Sequence, residues 1–184
     1  YQVSSDLNDN STYYWKVIAE DQSGVFTENI GGYQSFYTNL ENEPPSSFEI
    51  LSPNQNSIQT DLSPNFSWTA AVDPDPMDSV EYHLTIDGPP TDTYPWSFTV
   101  NTYETHFTPD FSLDDNTTFF CMANAHDMYG EWVFSGEVVF HTDSIPEPPM
   151  NFATVAPENN AEGIATEVEF VWNETDDPDP VEEL

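Results

Sequence analysis

The chain has 184 residues, 34 of them Asp or Glu against a single basic residue, Lys16, for a formal charge of −33. Without a cluster of Lys and Arg it has nothing to neutralise phosphates, which excludes nucleic acid as a partner, and an anionic membrane surface repels it. Hydrophobic residues at 37% and aromatics at 15% are enough to build a packed core, while no run approaches the roughly 20 apolar residues needed to span a bilayer.

Read from the N-terminus, Leu7-Asn8-Asp9-Asn10-Ser11-Thr12-Tyr13-Tyr14 returns as Leu113-Asp114-Asp115-Asn116-Thr117-Thr118-Phe119-Phe120, at an offset of 106 residues. The match continues through Ala19 and Ala125, Asp21 and Asp127, and Gly24 and Gly130. Beyond the next loop the offset is 104: Phe36-Tyr37-Thr38-Asn39 matches Phe140-His141-Thr142-Asp143, Glu43-Pro44-Pro45 matches Glu147-Pro148-Pro149, and Phe66-Ser67-Trp68 matches Phe170-Val171-Trp172. A period near 105 residues is the size of one domain and too long for a solenoid repeat. The Glu-Pro-Pro segments read as short, semi-rigid linkers, because proline fixes φ and restrains its predecessor. The expected organisation is therefore the C-terminal half of one module at 1-40, a complete module at 41-144 and the N-terminal half of a following one at 145-184. On this reading the sequence is a window on a longer tandem array, and each half-module is completed by neighbouring segments, since a half-sandwich leaves apolar faces and strand edges bare.

Within the complete module, short alternating runs bounded by Pro, Asp, Asn and Gly predict strands at 47-52, 64-70, 79-87, 94-101, 104-108, 117-127 and 131-142. Seven strands in about 100 residues predict an all-β fold, an immunoglobulin-like β-sandwich. Period-two alternation places Phe119, Cys121, Ala123 and Ala125 on one inner face, with Tyr13, Trp15, Val17 and Ala19 as their counterparts. Phe66, Trp68, Tyr82, Leu84 and Ile86 fill the opposing face.

Phe66-Ser67-Trp68 resembles the strand B tryptophan segment of fibronectin type III domains, and Leu7 through Asp21 resembles that family's crossing from strand E to strand F, with a leucine six residues before a tyrosine. The resemblance implies strands A, B and E facing C, C′, F and G. At Phe119 the hydroxyl of the family's tyrosine corner is missing, and Cys121 in place of Trp15 asks for compensating bulk, for which Trp96 and Trp132 are candidates. The Asp-Pro-Asp loop after the tryptophan is similar to that in tandem domains of large bacterial or archaeal surface proteins.

The acidic loop Asp73-Pro74-Asp75-Pro76-Met77-Asp78, returning as Asp177-Pro178-Asp179-Pro180, is the leading candidate for chemistry. Hard oxygen ligands at alternate positions of a proline-stiffened turn suit calcium, with Asp73, Asp75, Asp78, Asp177 and Asp179 as the carboxylates and Glu81 or a carbonyl completing the first shell. A solvated rigid turn is the plainer and stronger reading in so acidic a chain. Paired carboxylates alone do not make a glycosidase without a pocket, so no enzyme is expected and no catalytic residue is assigned. His83, His106, His126 and His141 lack short metal-ligand spacing and read as surface or loop residues. Cys121, the single cysteine, excludes an intrachain disulfide and reads as buried and inert.

Tyr94, Trp96, Phe98, Tyr103, Trp132 and Phe134 read mainly as core, with stacking on sugars or packing against another chain as the alternatives for any that lie on an outer face. Sequons occur at Asn10, Asn65, Asn116 and Asn173, a number that composition alone produces. Asn10 and Asn116 hold matching turn positions that suit glycosylation of an exported protein, or simply serve the turn. The leading functional expectation is a structural segment of an extracellular or cell-surface protein, a stalk, spacer or filament. Its partners are neighbouring modules of the same or an identical chain. The alternative is a calcium-dependent adhesin or a carbohydrate-binding accessory module of a secreted enzyme, with surface glycans as partner. A third reading is an intracellular protein of a salt-accumulating organism.

Overall fold

A computed structural model describes residues 2–90 and 95–179. Every regular element among them is a strand. In chain order these are β1 (Ser11–Trp15), β2 (Ile18–Glu20), β3 (Phe26–Glu28), β4 (Gln34–Thr38), β5 (Ile50–Ser52), β6 (Ser57–Gln59), β7 (Phe66–Trp68), β8 (Glu81–Pro90), β9 (Pro95–Thr102), β10 (His106–Phe107), β11 (Thr117–His126), β12 (Trp132–Thr142), β13 (Thr154–Ala156) and β14 (Val171–Trp172).

Two sheets enclose the main core. One has the order β10-β7-β5 and the other β6-β12-β11-β8-β9. Alternation on β11 buries Phe119, Cys121, Ala123 and Ala125, as the period of two requires. Tyr82, Leu84 and Ile86 of β8, expected on the opposing face, lie instead in the same sheet as β11 and join them, and Phe66 and Trp68 close the core from the smaller sheet. Rings meet across the gap: Phe66 lies edge-on to Phe140 at 5.6 Å between centroids, and Trp68 lies at 5.4 Å from Tyr82. Two sheets over one core are compatible with a β-sandwich.

The seven strands expected between 47 and 142 all form, and an eighth is added. This is β6, which runs parallel to the end of β12 with Ser57 opposite Phe140 and Gln59 opposite Thr142. Its sequence, Ser57-Ile58-Gln59, is too short and polar to show a period. Trp132 does not supply bulk beside Cys121: it lies on the outer face of β12 against His126, with centroids 4.2 Å apart. Trp96 packs edge-on to Phe119 and Phe111, at 5.6 and 6.1 Å. Gly88 makes room for this, since a Cβ there meets Phe119 at 3.3 Å and Trp96 at 3.4 Å.

The flanking strands pair as the central ones do. Tyr13 lies opposite Phe36 in the β1–β4 pair and Phe119 opposite Phe140 in the β11–β12 pair. Ala19 faces Thr27, and Ala125 faces Val133. Between these segments lies an irregularity where Val17 N–H donates to Asn29 Oδ1 at 2.8 Å and Ala123 N–H donates to Ser135 Oγ at 3.0 Å. The β13–β14 pair, Thr154 with Trp172, matches Ile50 with Trp68 in β5–β7. Peptide bonds before Pro53 and Pro157 are both cis. Trp15, Val17 and Ala19 are nonetheless exposed, because among the described residues no sheet packs over that side of β1 and β2. Tyr13 Oη accepts the Asn8 N–H at 2.8 Å, a bond that Phe119 cannot make.

Candidate metal centre

Three chain segments meet beside the main core: the segment of Asn42 and Glu43, the loop 73–79, and the turn 127–131. The loop is shaped by its own polar groups. Asp75 N–H donates to Asp73 Oδ1 at 2.9 Å, Asp78 N–H donates to the Asp75 carbonyl at 3.2 Å, and Met77 takes a positive φ of 71°. Pro74 and Pro76 stiffen the alternate positions between the acids. The result gathers Asp73, Asp75 and Asp78 so that one oxygen from each lies within 4.8 Å of the others. About 5 Å is what two oxygens at about 2.3–2.6 Å from one calcium ion can span.

The carboxylates are tied to the other two segments. Asp75 Oδ2 accepts the Glu43 N–H at 3.0 Å, and Asp78 Oδ1 accepts Met128 N–H at 3.1 Å and Ser79 N–H at 2.6 Å. The Asn42 amide donates to Asp127 Oδ2 at 2.6 Å. Burial raises the Asp73 carboxyl above the ordinary range, and the charges of Asp78, Asp75 and Asp127 push it the same way. At Asp127 burial also acts upward. The Asn42 amide and the N–H groups of Glu131, Gly130 and Tyr129 outweigh it and hold this carboxyl low.

Glu43 binds the linker to what precedes it. Its Oε2 accepts the Asn10 amide at 3.1 Å, and its carboxyl stands beside that of Asp75. The Asn10 amide favours the charged form of Glu43, but Asp75, burial and Asp9 together raise it. The same construction stands 104 to 106 residues later. Asn116 donates to Glu147 at 2.9 Å, Glu147 N–H donates to both oxygens of Asp179 at 3.1 and 3.2 Å, and Asp179 N–H donates to Asp177 Oδ1 at 3.0 Å. Asn10 and Asn116 both sit at positive φ, 47° and 49°. Each gives the linker glutamate its Nδ2, the atom to which a glycan attaches.

Sequence reasoning picked out the five aspartates and both asparagines but missed Glu43 and Glu147. Their signal was present in the recurrent Glu-Pro-Pro, where the prolines drew the reading toward a spacer. Glu81 does not complete the cluster: its Oε2 pairs with His126 Nε2 at 3.1 Å. His141, read as a surface or loop residue, is buried on β12, its Nδ1 at 2.9 Å from Thr118 Oγ1. Phe98 packs against Phe107 and Phe111 at the edge of the core, whereas Tyr103, Trp132 and Phe134 are exposed. Tyr94 lies outside the described residues. Tyr103, Tyr129 and Trp132, with Glu81 and His126, line a shallow concavity of about 530 Å³.

No family model matches the chain, and no curated protein matches it. No helix among the described residues is long and apolar enough to cross a membrane.

Proposed function

We propose that the chain is a segment of an exported protein built from tandem immunoglobulin-like modules of the fibronectin type III kind, serving as a cell-surface stalk, spacer or extracellular filament. The modules run 1-40, 41-144 and 145-184, the outer two being halves. One observation carries the reading: the link Asn10–Glu43–Asp75 recurs as Asn116–Glu147–Asp179. In such an array each link ties an asparagine before one strand pair, through a glutamate, to an aspartate of the next loop, and so joins successive modules. The matched registers of the flanking strands support it. So do the sheet order β10-β7-β5 against β6-β12-β11-β8-β9, equivalent to E-B-A against G-F-C-C′ with β6 added beside G, and the hydroxyl contact of Tyr13.

A charge of −33 suits this role, since like-charged modules repel one another and stay soluble. Electron microscopy of the full-length gene product, with surface labelling of intact cells that make it, tests the proposal. The expected image is a string of beads at regular spacing reached by label from outside; a compact particle or an inaccessible protein overturns it.

A second reading rests on the concavity lined by Tyr103, Tyr129 and Trp132, where exposed rings beside a Glu–His pair suit stacking on a surface glycan. Affinity electrophoresis in polysaccharide gels, with Trp132→Ala as control, decides it. Retardation that the substitution abolishes supports it, and unretarded migration in every gel removes it.

A further inference from the structure

We infer that Asp73, Asp75 and Asp78 form a binding site for a divalent cation, calcium by ligand chemistry, and that the bound ion stiffens the adjoining linker. The stiffening of a module junction rests on the array reading; the ion site itself does not.

Each of the three carboxylates divides its oxygens in the same way. One oxygen accepts backbone N–H groups: Oδ1 of Asp73 from Asp75, Oδ2 of Asp75 from Glu43, Oδ1 of Asp78 from Ser79 and Met128. The other oxygen of each, Asp73 Oδ2, Asp75 Oδ1 and Asp78 Oδ2, is buried and has no hydrogen-bond partner. Asp75 itself is only 3% exposed. A buried anionic oxygen without a partner is costly, and three on neighbouring residues also repel one another. No basic side chain relieves them, because the chain's one lysine is held by Glu28 at 2.6 Å. Backbone donors hold the three side chains in place and leave three oxygens facing no donor, which is the arrangement that a hard cation of oxygen preference satisfies. Carbonyls and water complete the six to eight ligands calcium takes.

The ion then acts on the linker through Asp75. Holding one oxygen of that carboxylate fixes the other, which accepts the Glu43 N–H, and Glu43 in turn holds Asn10. Asn10 Oδ1 and its counterpart Asn116 Oδ1 are likewise buried without a partner. The Asp177–Asp179–Glu147 set repeats the loop chemistry, with the position that matches Asp78 lying outside the described residues.

The test is isothermal titration of the whole 184-residue chain, stripped with a chelator, with calcium chloride against sodium chloride of matched ionic strength, paired with thermal melts. Saturable binding and a rise in Tm beyond the sodium control are expected, with magnesium markedly weaker. Asp73→Asn and Asp78→Asn each weaken calcium at least tenfold, while Asp110→Asn on an exposed loop changes nothing. Circular dichroism without calcium verifies that each variant folds, and hydrogen exchange in the wild-type chain serves if a loop variant does not. There the Glu43 amide, which donates to Asp75 Oδ2, is expected to exchange more slowly with calcium than without, and an exchange rate that calcium leaves unchanged ends the stiffening. Absence of saturable binding up to about 10 mM, well above the roughly millimolar affinity of weak extracellular sites, overturns the site. So does binding that Asp73→Asn and Asp78→Asn both leave intact. The two readings fail separately: an extended string that binds no calcium ends the ion site alone, and a compact particle that binds it ends the array alone.

Discussion

Asn116 donates its side-chain amide to Glu147 across 31 residues of sequence, at 2.9 Å, from a backbone held in the left-handed region at φ 49°. One residue thus does two jobs, turning the chain before β11 and gripping Glu147. Asn116→Gly keeps the turn and removes the grip, at a cost of about 1 kcal/mol. Asn116→Ala loses both, standing roughly 1–2 kcal/mol below the glycine variant, because Ala has a Cβ in the left-handed region without the local polar group that offsets it in Asn. Hydrogen exchange at the Glu147 amide is expected to accelerate about fivefold in the glycine variant and further in the alanine variant.

Tyr82 is buried in the core with its hydroxyl accepting the Ala71 N–H at 2.8 Å. Tyr82→Phe retains the ring contacts with Trp68 and Phe48 and leaves that N–H without an acceptor. The expected loss is about 1–3 kcal/mol, read as a lower urea midpoint with an unchanged slope.

Stability should pass through a maximum on the acid side of neutrality. Asp73 and Asp143 are raised, each by burial first and neighbouring carboxylates second. A carboxyl whose folded pKa lies above its unfolded value binds its proton more readily when folded, so folding gains as pH falls through that folded pKa. Asp115 has the opposite sign. The Ser144 hydroxyl and N–H hold it low, so its contribution is complete above the unfolded pKa and is lost as pH falls through the folded one. Thermal melts are expected to rise from pH 7 toward about 5 and fall below about 3.5, flanking the ordinary carboxylate range. Asp115→Asn should blunt the acid-side fall. A Tm that declines steadily from pH 7 downward contradicts this account.

Burial pushes the Cys121 thiol up to about 12, with Glu137 acting in the same direction. The thiolate is the reacting form, so the folded protein is expected to resist iodoacetamide at pH 8 for hours and to react at the rate of a free thiol once unfolded in urea. Mass spectrometry of the alkylated peptide checks it.

The strands were legible where their period was. Phe119, Cys121, Ala123 and Ala125 recur at every second position of β11, and the structure buries all four. Strand β6 was hidden, because its three residues gain their place from parallel pairing with β12 rather than from any pattern of their own. Trp15 and Val17 carry the same period as their counterparts, yet burial depends on a facing sheet, which a strand's own sequence does not encode. At the acidic loop, residue type and spacing pointed to Asp73, Asp75 and Asp78. The division of their oxygens between backbone donors and no donor at all is a property of three segments meeting in space, and no local sequence contains it.

The parallel pairing of β6 with β12 has a mechanical side. β6 lies near the start of the central sheet pair in sequence and β12 at its end, and the two run in the same direction. In the tandem stalk proposed above, tension along the chain would pull them past one another lengthwise, loading their hydrogen bonds together instead of peeling them open in succession. On that reading β6 and β12 form a clasp loaded in shear.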